Sequence, residues 1–545
     1  MRHFICLIIA FLTLLLPAFS AAQHPLNVEQ QTQMTPEKWR EDLKYFAAEM
    51  ERVHKNAYHA VSKEEFRKAV AELDAQIPSL EGHQVVAGLM RLTAMIGDGH
   101  TGFRWGPIAA NGIAPLGFYW FEDGIYVRSA APQYADLIGA KLVAVGGVRI
   151  DEAIKKLEPL IWRDNSMGVR SAVPWYLTVP RILNAAGLSR SKEKASYQFE
   201  KAGKRFEREV EPAGKLDDLQ NNPAEWVHAV ANGQKPLWLR QPRNSYWYEV
   251  IPETKTLYIQ FNEVQNKQEE TIADFFGRVF ALAEKEPVER VVLDMRMNGG
   301  GNNYLNIPII TGAIRSRLNV KGKLFVIIGR ETFSAAQNTI NDLEKYTNAI
   351  FVGEPTGASP NHFGDAVNVN LPNSKFVFRP STVWWQDMDE RDKRKWTAPD
   401  VAADLSFADY VAGRDPAMEA ILAYKPAESM DDIIAWAQKN DDVPGLIERY
   451  RKFRSDPKHK YTETMTIINR VGHYLLRIRR PDDALTIFKV NAEDNPGSAI
   501  VYQSLGDVYD IKGDKENALA NYKKAISIDP KLAASAEAIR RLNAQ

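Results

Sequence analysis

Between Tyr246 and Pro416, short strand-like apolar runs alternate with helical ones: TLYIQFN, a helix from about Glu269 to Glu284, RVVLDMR, LFVIIG, a helix beginning near Ser334, and AIFVG. Strands interleaved with helices in this way are buried by those helices, so the stretch predicts an α/β layered core over residues 241–425. That core takes up only part of the 545 residues. Single hydrophobic cores stop growing well below this length, so the chain is a multidomain α/β protein.

Upstream, apolar residues such as Trp39, Leu43, Phe46 and Met50 fall at helical spacing behind a helix start at Thr35 and Glu37. They predict an N-terminal helical domain over residues 23–105. The pattern then changes to short strands, GFYWF, GIYVRSA and KLVAVGG, followed by a helix from Ile150, and residues 106–165 look like a reduced PDZ-type module. Residues 166–240 read as a charge-rich insertion with no functional signal. In the tail, Gly472, Ala484, Phe488 and Pro496 recur 34 positions later as Gly506, Ala518, Tyr522 and Pro530, the period of a tetratricopeptide unit. Residues 430–545 are therefore expected to form a helical repeat module, either docking a protein partner or bracing the core.

The chain opens MRHFICLIIAFLTLLLPAFSAAQ, with Arg2, an apolar run too short to span a bilayer, and small residues at Ala18, Ser20, Ala21 and Ala22. Residues 1–22 read as a signal peptide, which predicts a periplasmic or secreted bacterial protein with no stable membrane anchor after cleavage. The single cysteine, Cys6, lies inside this leader. The mature chain can use neither a disulfide framework nor a thiol nucleophile. Lysine plus arginine and aspartate plus glutamate both number 69, and without a long basic stripe nucleic acid is not an expected partner.

Three segments carry chemistry. In LFVIIGRETFSAAQNTINDLE a strand runs through Ser334 into a helix, whose unpaired N–H groups can stabilise developing negative charge. Taken alone, Ser334 reads first as a helix-capping serine, and context must change that. In VVLDMRMNGGGNN, Asp294 and Arg296 lead into Gly299, Gly300 and Gly301, which let backbone approach a ligand and aim an N–H at an oxyanion. No Gly-Lys-Ser/Thr follows, so a phosphate loop is excluded. In GDGHTGF, His100 stands between two glycines. The ten histidines show no metal-ligand spacing, and no cofactor or metal is expected.

Taken in order, GDGHTGF, VVLDMRMNGGG, ETFSAAQ, FVGEPTGASP and WTAPDVAADLSFADYVAGRDP make residues 36–424 resemble the C-terminal-processing (tail-specific) and tricorn-like serine peptidases. The resemblance implies a crotonase-like core, Ser334 as nucleophile, His100 as base, and an oxyanion hole formed by the N–H groups of Ala335 and a glycine after Asn298. Gly300 is preferred there, because relatives often carry proline at the position of Gly299 and proline cannot donate. The lysine of the processing branch is replaced by Ser359, which leaves the Ser–His chemistry of the tricorn-like branch. Those relatives place a serine before the histidine, hydrogen-bonded onward to an acid, where this chain has Gly99. The orienting acid is then Asp98, Asp389, Glu390 or Asp392, with Asp392 favoured. The implied function is hydrolysis of peptides or unfolded proteins through an acyl-serine. The alternatives are a catalytically weak protein that binds peptides or apolar ligands on the same fold, and a serine esterase, although the Gly-x-Ser-x-Gly elbow is absent.

Overall fold

The computed structural model describes residues 34–104, 106–109, 112–215, 218–219, 223, 225–230 and 235–544. The leader expected over residues 1–22 lies outside them. Among the described residues no helix is long and apolar enough to cross a membrane.

Helices α1 (Pro36–Val53), α2 (Lys63–Gln76) and α3 (Gly82–Met95) come first. Thr35 and Ser62 begin the first two by accepting the N–H of Lys38 and Glu65, satisfying donors that a helix start leaves free. These helices do not close a core of their own. Their apolar faces pack into one cluster with an antiparallel sheet of β1 (Leu116–Phe121), β2 (Gly124–Ala130), β3 (Lys141–Val145), β4 (Ala195–Lys201) and β5 (Lys204–Val210), paired in that order. Boundaries at 105 and 165 therefore run through a single packed unit. The hairpin β4–β5 hides in the sequence because only one of its faces is apolar. Ala195, Tyr197 and Phe199 point inward, while Arg205, Glu207 and Glu209 cover the outer face.

The second layered unit is a six-stranded sheet: β6 (Tyr246–Ile251), β7 (Thr256–Phe261), β8 (Arg290–Asp294), β9 (Leu324–Ile328), β10 (Ile350–Gly353) and β11 (Val401–Ala402), in that spatial order. β7 to β11 are parallel and β6 is an antiparallel edge. Alternation along the strands divides their side chains between two apolar layers. Leu257, Ile259, Val291, Leu293, Val326 and Ile328 pack with α4 (Ile272–Lys285), α5 (Ile307–Arg315) and α6 (Ala335–Tyr346). Tyr258, Val292, Phe325, Ile327 and Val352 pack with Trp247, Met418 and Ile421 on the other face. Burying each such side chain contributes roughly 1.5–3 kcal/mol, which explains why these strands are nearly continuous apolar runs.

Asp404, just past β11, is a buried joint. It accepts the hydroxyl of Tyr461 and lies 2.9 Å from Lys460 Nζ and 3.4 Å from Arg170. The tail follows as α7 (Met430–Asn440), α8 (Val443–Ser455), α9 (Thr464–Arg477), α10 (Pro481–Asp494), α11 (Ala499–Ile511), α12 (Lys515–Ile528) and α13 (Ala533–Ala544). Its helix pairs touch at glycine. A Cβ on Gly472 would stand 2.3 Å from the Phe488 ring, and one on Gly506 would stand 2.6 Å from the Tyr522 ring.

Candidate active site

Three adjacent parallel strands, β8, β9 and β10, release their loops at the same carboxyl edge of the sheet, where open α/β sheets place ligands. β8 leads into the glycine triplet, β9 into Ser334, and β10 into the loop of Ser359 and His362. The fourth loop, holding His100, arrives from the first unit: Gly102–Phe103 pairs with the strand Val377–Arg379. Asp98 builds this loop by accepting the backbone N–H of His100 (2.9 Å) and Thr101 (2.6 Å), the Ser381 hydroxyl (3.0 Å) and His54 Nε2 (2.8 Å). These donors outweigh the effect of burial and hold its carboxyl down at about 2.

Ser334 occupies a sharp strand-to-helix turn with φ 56° and ψ −129°. For a residue with a Cβ this backbone costs about 1–3 kcal/mol. A helix-capping serine would repay such a cost through a hydrogen bond to its own helix, and Ser334 makes none. The elbow is pinned from below: Phe333 N–H donates to Asn298 O (3.0 Å), and the Thr332 hydroxyl to Met295 O (2.9 Å). Arg296 braces the same loop through paired bonds to Asp415 at 3.0 and 2.9 Å and a bond to Asp294 at 3.0 Å.

The first N–H of α6, on Ala335, has no acceptor among the described residues and is available to an oxyanion. Gly300 differs from its expected part. Its N–H donates to Asn298 Oδ1 at 2.9 Å, so it is already engaged. Gly300 instead provides close approach: at φ 100°, a Cβ there would stand 2.6 Å from Ser334 Cβ and 2.9 Å from Ala335 N. The N–H groups of Gly299 and Gly301 have no acceptor among the described residues.

His100 is half-buried, with both ring nitrogens out of contact with solvent and no hydrogen-bond partner among the described residues. Its ring stacks on Phe333 (centroids 4.4 Å apart) and lies parallel to His362 at 5.4 Å. Burial first, and then the neighbouring His362, push its pKa down to about 3. The ring is therefore neutral near pH 7. The fold brings His100 against the residue preceding Ser334, but no hydrogen bond joins the serine to the histidine.

None of the four acids holds the His100 ring. The favoured one, Asp392, faces Arg394 at 2.8 Å, and Arg394 also binds Glu344. Asp389 pairs with Arg391 at 2.7 Å on the surface, Glu390 is exposed, and Asp98 is committed to backbone and His54. A loop of alternating charges satisfies itself locally, which is why Asp392 turns to Arg394, two residues away.

Two residues outside the sequence reading belong to the site. His362 donates from Nδ1 to Ser359 O at 3.0 Å, which fixes its tautomer and leaves Nε2 as an acceptor. Asp164 accepts the N–H of Gly99 (2.6 Å) and of Ser359 (3.2 Å). Both line a cleft of about 630 Å³ together with Lys55, His59, Phe363 and Trp384. Withdrawal from water, and then the Asp98 charge, push Asp164 up to about 7. A histidine three residues past Ser359, in a loop from the carboxyl edge, was a legible signal. Asp164, in IWRDNS, had none. No group of three or more histidine, cysteine, aspartate or glutamate side chains that could hold a metal is present among the described residues.

Residues 499–532 match the tetratricopeptide repeat model, so the tail carries a tetratricopeptide module. Among curated proteins no sequence matches. The fold is similar to several solved structures at low identity. Mature CPAF complexed with lactacystin is 11% identical with a TM-score of 0.49, over 75% of this chain and 99% of that one. The photosystem II D1 C-terminal processing protease is 14% identical with a TM-score of 0.33, over 70% and 98%. The tricorn protease is 13% identical with a TM-score of 0.34, over 75% and 37%.

Proposed function

We propose that the protein is an exported serine peptidase that hydrolyses peptides or unfolded proteins through an acyl-serine at Ser334. The observation that carries this reading is the elbow: a serine in a strained backbone, without a capping bond, beside the free N–H of Ala335 and a glycine loop in contact with its Cβ. A cap alone explains neither the strain nor the missing bond.

In this reading the Ser334 hydroxyl attacks a peptide carbonyl while neutral His100 takes its proton and later passes it to the departing amine. The oxyanion is met by the N–H of Ala335 and that of Gly299 or Gly301. The Phe333 ring lies against the face of the imidazole, and the two ring nitrogens are free to bond when substrate binds. Catalytic hydrogen bonds are commonly loose before substrate binds. Export rests on the leader sequence, and protein docking on the tetratricopeptide tail.

The test is to expose wild type, Ser334→Ala and His100→Ala to a fluorophosphonate probe and an unfolded protein substrate. Labelling of wild type but not Ser334→Ala, with cleavage lost in both variants, supports the peptidase. The sealed, unbonded ring of His100 favours a second reading, a peptide-binding protein on the same fold. Folded wild type that neither labels nor cleaves would favour that reading instead.

A further inference from the structure

The loop bearing His100 and the loop following β10 are joined through one carboxylate. Asp164 gives one oxygen to Gly99 N–H, immediately before the base, and the other to Ser359 N–H, whose carbonyl in turn orients His362. The absence of a side chain at position 99 makes the contact possible. A Cβ on Gly99 would stand 3.2 Å from Asp164 Oδ1 and 2.8 Å from the Phe333 ring. Where a serine would have reached toward an acid, the acid reaches the backbone.

We propose, on the Ser334–His100 reading, that Asp164 is a positioning residue of the reaction: its ionised carboxylate locks the His100 loop to the loop beyond β10 in the register that presents the base to Ser334. An ionised carboxylate accepts both N–H groups. A protonated one turns an O–H toward one of them and loses that bond. The lock is therefore set at higher pH and released at lower pH.

The charged and titratable groups that line the cleft with Asp164 are Asp98 on the base loop, Lys55 and His59 from the turn after α1, and His362 past β10; of these, Asp98 acts on its charge. None of them hydrogen-bonds to its carboxylate, and the nearby Asp98 raises its pKa. Burial and Asp98 push Asp164 up to about 7, whereas burial and His362 push His100 down to about 3, so a limb near neutral pH is expected from Asp164 and not from His100. Because ionisation of Asp164 is disfavoured in the fold, its charge lowers stability at pH 8. Removing that charge should slow the reaction without lowering the melting temperature, a combination that a merely structural aspartate would not give.

The experiment measures the rate of fluorophosphonate labelling from pH 5.5 to 9, with melting temperature at pH 8, for wild type, Asp164→Asn and His362→Gln. The expected result is a wild-type limb near pH 7 that persists in His362→Gln. Asp164→Asn should be flat through that window, label about tenfold more slowly at pH 8, and melt no lower than wild type. An Asp164→Asn variant that keeps the wild-type rate and limb overturns the proposal, as does a limb that disappears with His362. Loss of rate together with a lowered melting temperature assigns Asp164 a structural role and also overturns it. Should Asp164→Asn fail to fold, the wild-type profile decides, because labelling that is flat across pH 7 is incompatible with the lock. Wild type that is never labelled removes the Ser–His reading itself, a different result from labelling with the wrong pH dependence.

Discussion

The tail and the strand-edge site use glycine for different ends. In the tail the same contact is made twice, Gly472 on Phe488 and Gly506 on Tyr522, each glycine admitting a ring that any side chain would exclude. At the site, glycine again admits a close neighbour, with Gly300 against Ser334 and Gly99 against Phe333, but polar atoms are left without partners. His100 has two unbonded ring nitrogens and Ala335 an unclaimed N–H. The tail has unpartnered buried atoms of its own, at Asp494, Gln503 and Ser535; what the site adds is a serine in a strained backbone with no capping bond.

Substitutions can break that contrast. The largest effect is expected at Ser334. Ser334→Ala should remove labelling and hydrolysis, a loss of about 10⁴-fold or more in rate, while thermal melting stays close to wild type. Gly506→Val should do the reverse. Forcing a side chain into the Tyr522 ring costs about 1–3 kcal/mol, seen as earlier loss of tail helicity, with the labelling rate of Ser334 unchanged.

A smaller effect concerns acid. His100 is held neutral in the fold to about pH 3 but protonates near its ordinary 6.5 when unfolded, so the unfolded chain binds more protons between those values. Wild-type stability should fall as pH drops through that window. His100→Gln should fall less, which melting curves at pH 7, 5.5 and 4.5 would show. The smallest effect is expected at Asp392→Asn. Its carboxylate serves Arg394, so activity should change less than about twofold and stability by about 0–1 kcal/mol.

The layered core and the tail were legible because their signals are periodic. Buried strands read as apolar runs, and the repeat recurs at a fixed interval. The hairpin Ala195–Val210 was not, since its outward face is charged. Within the site, Ser334 and the glycines were legible from local context, where a strand ends and a helix begins. The acid was not. The resemblance favoured Asp392, whose loop stands roughly where the relatives carry their acid, but its carboxylate faces Arg394; Asp164, which contacts Gly99 and Ser359, comes from a distant stretch of the first unit. Contacts between units leave no period in the sequence.

The joint at Asp404 bears on how the protein can be shortened. A fragment ending at residue 425, where the layered core stops by sequence, would lack Lys460 and Tyr461 and leave a buried carboxylate facing Arg170 alone. Losing hydrogen bonds to a charged group costs about 1.5–3 kcal/mol each, a sizeable part of a domain's margin. A minimal stable fragment would therefore have to extend past Tyr461, and the first piece of the tail counts as the last piece of the core.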